Sequence, residues 1–292
     1  LTLNDCIIAN NESPQGGGIQ NNLTLTMNRC FVYNNSAPSQ GSGLMIYGSM
    51  TTLNNSVFTN NQGAYAIDMS TAGTLTITNC TIAKNTGGGI KVSNSNATVT
   101  LKNTIVAENT GASSANIRNN VSASSAYNLI GTEGGNGGLT NGTNNNFVGS
   151  SPLFANSSDP DGADEIFGTA DDGLRLLTCS PALNAGNTAD APAGTDIVGI
   201  MRTFGTNVDM GAYEAQAAST PVPTITLGTL PTTILAGATT FNIPYTATGS
   251  PTTYSISGTG FTTLTDAALP SSPITVNLSP AASINIDFTL TV

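Results

Sequence analysis

From Leu1 to about residue 130 one pattern of apolar and polar positions returns again and again. It reads LTLNDCIIANN from Leu1, LTMNRCFVYNN from Leu25 and TTLNNSVFTNN from Thr51. It then reads TLTITNCTIAKN from Thr74 and VTLKNTIVAEN from Val99. Aligned, the phrases form columns. Leu3, Met27, Leu53, Ile77 and Leu101 make the first, and Cys6, Cys30, Ser56, Cys80 and Thr104 the second. Ile8, Val32, Phe58, Ile82 and Val106 make the third, and Asn11, Asn35, Asn61, Asn85 and Asn109 the fourth. Most successive copies lie about 24 residues apart, and Asn128 and Ile130 fall at the next such offset, a weaker sixth copy. A period of this length marks a solenoid.

Within each phrase the apolar residues alternate, as in Leu75–Ile77 and then Cys80–Ile82, and period two means strand. The alternation slips by one residue before the cysteine column. The residue at the slip is Asp5, Arg29, Asn55, Asn79 or Asn103. Asn and Asp tolerate the left-handed backbone conformation a tight bend requires. Each phrase therefore predicts two short strands joined by a corner. A leucine-rich repeat would share the LxLxxNxL text, but its other half carries a helix or 3₁₀ segment. Here that half reads AKNTGGGIKVSNSNATV, which suits turns and a third strand. The expected fold is all-β, a right-handed parallel β-helix of about 24 residues per coil. Like side chains then stack rung on rung, with an amide ladder along the Asn column. Gly16–Gly18, Gly41/Gly43 and Gly87–Gly89 mark the third corner. The cysteines are read as buried free thiols filling space, because in-register parallel strands aim Cys6 and Cys30 the same way.

After residue 130 the period decays. SPLF (151–154) and LRLL (174–177) read as further strands. Between them Asp159, Asp161, Asp164, Glu165, Asp171 and Asp172 crowd into one Gly-containing turn. Alternating Asp and Gly at a bend suits hard oxygen ligation. Asp159, Asp161, Asp164, Asp171 and Asp172 are therefore the candidate calcium ligands, set against a plain solvated turn. The text from SPLF through SPALNAGN (180–187) to VDMGAYE (208–214) resembles the closing segment of pectin-lyase-like right-handed β-helix proteins of bacterial surfaces and secretions. The resemblance implies that 151–214 forms the last coils and caps the helix within a domain spanning 1–216. It also implies export by a dedicated outer-membrane route. Arg202 lies near Asp196, Asp209 and Glu214 in sequence, and an ion pair inside the cap is expected.

AASTPVPT reads as a linker, assigned to 217–223. The remainder, 224–292, has strand-like runs between turn residues every 8–12 positions, the signature of a β-sandwich. LPTTILAGATTFNIPYTATGSPTTYSISG resembles Ig-like modules repeated in large secreted adhesins of gliding-type bacteria, with Pro244-Tyr245 and Gly249-Ser250-Pro251 its clearest marks. At about 70 residues it is short for such a module.

Composition narrows the function. Of the 292 residues only 8% are charged, and the net charge is −10 with seven Lys and Arg. No basic stripe exists for nucleic acid or an anionic membrane, and no apolar run approaches a membrane span. There are no histidines, which removes Ser–His–Asp catalysis and His-based zinc sites. Asp5, Glu12, Asp68, Glu108 and Glu133 show no shared column, and Lys84, Lys91, Lys102 and Arg118 look scattered. Asp5 and Arg29 share the corner column, as a surface ion pair would. The expectation is a non-catalytic fragment of a secreted or cell-surface bacterial protein, an adhesin or rigid stalk. Its partner would be a surface glycan or another surface protein, with Tyr33, Tyr47 and Tyr65 available to stack on sugar rings. The alternative is a polysaccharide-cleaving lyase or glycosidase whose site lies in other coils.

Overall fold

The computed structural model describes residues 1–111, 115–216, 224–230, 238–248, 251–278 and 288–292. The chain divides into two compact units, 1–219 and 220–292. The expected linker, 217–223, lies outside the described residues, as do Gly249 and Ser250.

In the first unit the chain winds as a parallel β-helix with three principal sheets. The first sheet stacks Thr2–Asn4, Thr24–Asn28, Met50–Asn54, Thr74–Thr78 and Thr98–Lys102. The second stacks seven strands, from Ile7–Ala9 through Thr81–Ala83 to Leu129–Ile130 and Phe147–Val148. The third stacks Ile19–Asn21, Leu44–Ile46, Ile67–Met69, Ile90–Val92 and Ile117–Arg118. The third strand excludes the leucine-rich alternative. Ile8, Val32, Phe58, Ile82 and Val106 pair in one unbroken file that continues to Ile130 and Val148. They belong to a single interior cluster with the Leu3 and Cys6 columns. The last coil is shorter, since Ile130 pairs with Val148.

Two corners in each coil use left-handed backbone. Asp5, Arg29, Asn55, Asn79 and Asn103 have φ between 46° and 52°, at the predicted slip. A second such column escaped the sequence reading: Asn10, Asn34, Asn60, Lys84 and Glu108, φ 52–62°. It turns the chain just before the amide ladder. Asn35, Asn61, Asn85 and Asn109 are fully buried. Each Nδ2 donates to the Oδ1 of the next coil's Asn at 2.9–3.1 Å, from Asn11 to Asn109. The same Oδ1 accepts the backbone N–H of the preceding Asn. The spare Nδ2 hydrogen goes to carbonyls such as Phe58 and Ala83 for Asn85. These bonds satisfy the whole side chain, which is what makes burying an amide tolerable.

The cysteine column works in a similar way. Backbone N–H groups of Cys30, Ser56, Cys80, Thr104 and Asn128 donate to the next rung's Ser56, Cys80, Thr104, Asn128 and Asn146 side chains. The thiols are free; Cys30 and Cys80 are buried and hydrogen-bond as well as fill space, whereas Cys6 and Cys179 are only half-buried, against the expectation. Burial pushes the Cys80 thiol up to about 12, so it stays protonated and unreactive.

Residues 151–216 depart from the expectation. The sequence resemblance predicts end coils and a terminal cap. Instead this segment lies as a strap along the outer face of the second sheet. Phe31, Val57, Ala83, Ile105 and Leu129, which point away from the interior file, form a second core with Phe154, Phe167, Leu174, Ile197, Met210 and Tyr213. The physical reason lies in the second sheet itself, whose outward positions are apolar and demand cover. Phe154 and Leu176 meet in one antiparallel bridge rather than in the extended strands expected from SPLF and LRLL.

The second unit is built of antiparallel pairs around its own small core. Thr224–Leu227 pairs with Tyr245–Thr248, and Thr240–Ile243 with Ile274–Asn277. Thr253–Gly258 pairs with Leu264–Ala268 and Phe288–Thr291. Phe241, Ile243, Tyr254, Ile256, Ile274 and Val276 alternate into that core, as period two requires.

Candidate binding face and buried charge cluster

In the third sheet alternate residues point out of the helix. Leu44, Ile46, Ile67, Met69, Ile90 and Val92 enter the interior cluster. Between them, Gln20, Met45, Asp68, Lys91 and Arg118 are aligned rung by rung. Asp68 is 1% exposed, unusual for a carboxylate outside the interior. It accepts hydrogen bonds from Ser93 Oγ at 2.6 Å, Ser70 Oγ at 3.3 Å and Lys91 Nζ at 3.3 Å. Tyr65 flanks this file, packed on Gly88, where any Cβ would strike its ring. Burial raises the Tyr65 phenol, and the charge of Arg118, with which it hydrogen-bonds, works the other way. The Tyr47 hydroxyl is shared between Gln40 Oε1 at 3.0 Å and Gln15 Oε1 at 3.1 Å. Gln20, Tyr47, the Lys91 ammonium and the Arg118 guanidinium thus line one outer surface, while Met45 and Tyr65 are buried beneath it and Tyr65 does not offer its ring for stacking. Asp68 and Lys91 look scattered in the sequence because the turns before the third strand vary in length. The signal was present: GLMI, AIDM, GIKV and NIR share one frame.

Other expected groups fall elsewhere. Arg29 holds Asp5 through Nε at 2.7 Å and Nη2 at 2.8 Å, and that hydrogen bond, more than charge, keeps Asp5 below the usual carboxylate range. Lys84 meets Glu108 at 3.8 Å, and Lys102 bonds Asp190 of the strap. Glu133 ends the amide ladder: Asn109 donates to Asn116, and Asn116 to Glu133. Burial favours protonation of Glu133, but hydrogen bonds from Asn116, the nearby backbone and Thr132 outweigh it and hold the group low. Tyr33 does not offer its ring to a ligand, since it packs on Phe167 with centroids 4.5 Å apart.

In the acidic turn Asp164, Asp171 and Asp172 accept local hydrogen bonds. Asp172 is buried and accepts from the N–H groups of Gly168 and Thr169 and from the Tyr213 hydroxyl at 2.8 Å. Asp171 takes the Thr169 hydroxyl and the Asp164 N–H, while Asp164 takes the Ile166 N–H. Among the described residues no three His, Cys, Asp or Glu groups converge as metal ligands would. Asp159 and Asp161 are half-buried at the rim of the turn.

The expected ion pair at Arg202 is present, and it is the centre of the strap. Arg202 is 1% exposed and reaches Glu214 Oε2 at 3.3 Å. Its other hydrogens go to Asn55 Oδ1, at 2.7 Å from Nη2, and to the carbonyls of Gly211, Tyr213 and Asn79. Asn55 and Asn79 are corner residues of successive coils, so one side chain ties the strap to two rungs. Asp196 and Asp209 act on Arg202 at longer range. Asp196 accepts the N–H groups of Val198, Ile200 and Glu214, and Asp209 those of Asn184 and Ala215. Burial pushes Asp209 up and, with the Asp209 charge beside it, takes Glu214 up to about 7. Burial also works against the charge of Arg202, though a guanidinium stays protonated.

An uncut file of interior side chains, buried amide stacking and parallel sheets on three sides define a β-helix solenoid. Residues 18–161 match the family described as the right handed beta helix region, so the coils form a right-handed β-helix. No curated protein and no solved structure matches the chain.

Proposed function

We propose that this chain is a non-catalytic part of a secreted or surface-displayed bacterial protein, serving as an adhesin or rigid stalk. Its outer third sheet binds a glycan, and 224–292 forms an Ig-like module. The observation that carries this reading is the file Gln20, Met45, Asp68, Lys91 and Arg118 with Tyr47 and Tyr65 beside it. Sugars are recognised by amides, hydroxyls and aromatic faces held on a rigid frame, and β-helix coils supply that frame. Asp68 already accepts three hydrogen bonds, one from Lys91, which suits a supporting role better than proton transfer. The test is a glycan array probed with the full chain, Tyr47→Ala and Arg118→Ala. Binding weakened by both substitutions supports the reading. Unsaturated or reducing-end products released from polysaccharides overturn it in favour of an enzyme.

A further inference from the structure

The outer face of the first sheet carries a different pattern. Thr2, Thr26, Thr52, Thr76 and Thr100 pair directly from rung to rung. Two residues earlier on each strand, Thr24, Thr74 and Thr98 form a parallel file interrupted by Met50. The pairing has no register shift across five strands, because the longer second coil takes its extra residues in a loop. The result is a two-dimensional grid, not one row. Its spacings are fixed by the backbone at about 4.8 Å between rungs and about 6.6 Å along each strand.

Three further observations bear on what this grid meets. Among the described residues none of these hydroxyls has a partner, and all of them are exposed or half-exposed. The neighbouring file is uncharged over three rungs, with Asn4, Asn28 and Asn54 linked amide to amide at 2.8 and 2.9 Å. Lys102, the cation at the far end, is turned to Asp190 of the strap. The grid is thus a rigid, neutral array of methyl and hydroxyl groups, broken in its shorter file by the 50% exposed Met50, on a protein of net charge −10. Threonine is stiff at χ1, so ordering it against a solid costs little entropy. A neutral face also avoids the penalty of stripping water from ions.

We propose that this face binds ice. Water oxygens on the prism planes of hexagonal ice repeat in two directions, one close to the rung spacing and the other somewhat longer than the spacing along the strand. A free, disordered polymer would have no use for a fixed two-dimensional repeat, whereas a crystalline water surface repeats in two directions as the grid does. The proposal is independent of the glycan reading, which concerns another sheet.

The experiment uses the labelled full chain. Adsorption to a growing ice hemisphere and thermal hysteresis are measured for the wild type, Thr76→Tyr, Thr52→Lys and Tyr47→Ala, with circular dichroism to check folding. The expected result is adsorption and faceted crystals for the wild type and Tyr47→Ala. Adsorption is lost in whichever grid variants keep the wild-type spectrum. Exclusion of the wild-type chain from ice overturns the proposal. So does adsorption of folded Thr76→Tyr or Thr52→Lys equal to wild type. Binding to microcrystalline cellulose without adsorption to ice assigns the grid to a polysaccharide surface and also overturns it.

Discussion

The coils and the strap spend their polar groups in opposite ways. In the coils every rung makes the same bonds as the last, so Asn35, Asn61 and Asn85 are interchangeable parts. In the strap each contact occurs once: Arg202 on Asn55, Asn79 on the Asp209 carbonyl, Asn103 with the Asn187 backbone, Phe167 on Phe31. Repetition spreads stability over many nearest-neighbour terms, while singular contacts concentrate it in a few side chains. Damage should therefore stay small and local in the coils and be large in the strap.

The most severe test of that contrast is Arg202→Ala. It leaves Glu214 buried without its cation, and a loss of about 3–5 kcal/mol is expected for breaking such a pair. Thermal unfolding should fall sharply, with limited proteolysis cutting first within 151–216. Unchanged stability would remove the latch from this account.

Next comes pH. The Glu214 carboxyl ionises at about 7 when folded against a model value of 4.5. A raised carboxyl contributes stability that is complete below the unfolded value and is lost as pH rises through the folded one. Between pH 4.5 and 8 the wild type should lose about 3 kcal/mol relative to Glu214→Gln, the shift converted at 1.36 kcal/mol per unit. Parallel denaturation curves across that range would contradict this.

Within the coils, Asn85→Ala removes a fully bonded amide and strands its neighbours' donors, at a cost of about 2–3 kcal/mol. Asn11→Ala, where the amide is exposed, should cost under about 1 kcal/mol. Equal losses at the two sites would deny the ladder its neighbour dependence. The smallest effect is expected from calcium. Because Asp164, Asp171 and Asp172 already accept local hydrogen bonds, millimolar calcium should leave the melting temperature within about 1 °C. A rise of several degrees would show that the turn reorganises around the ion.

The same contrast decides what could be read from the sequence. The interior file, the bend at Asn79 and the amide ladder were legible because stacking makes each coil a copy of its neighbour. The Asp68–Lys91 pair was hidden because turns of unequal length shift its spacing from the 24-residue rhythm. The strap was the hardest. Phe167 and Tyr213 look like ordinary apolar residues, and nothing local tells that they cover Phe31 and Ile105 more than a hundred residues away. Arg202 was found only because a cation is rare in this chain and three acids lie near it.

A solenoid can ordinarily gain or lose one turn, since each turn asks only for another like itself. Here Arg202 spans two successive corners, and the strap's other anchors sit on neighbouring ones. Splicing a whole turn between Asn55 and Asn79 would preserve every ladder yet move those anchors apart. The strap thereby acts as a ruler, fixing the number of windings between its anchors at Asn55, Asn79 and Asn103.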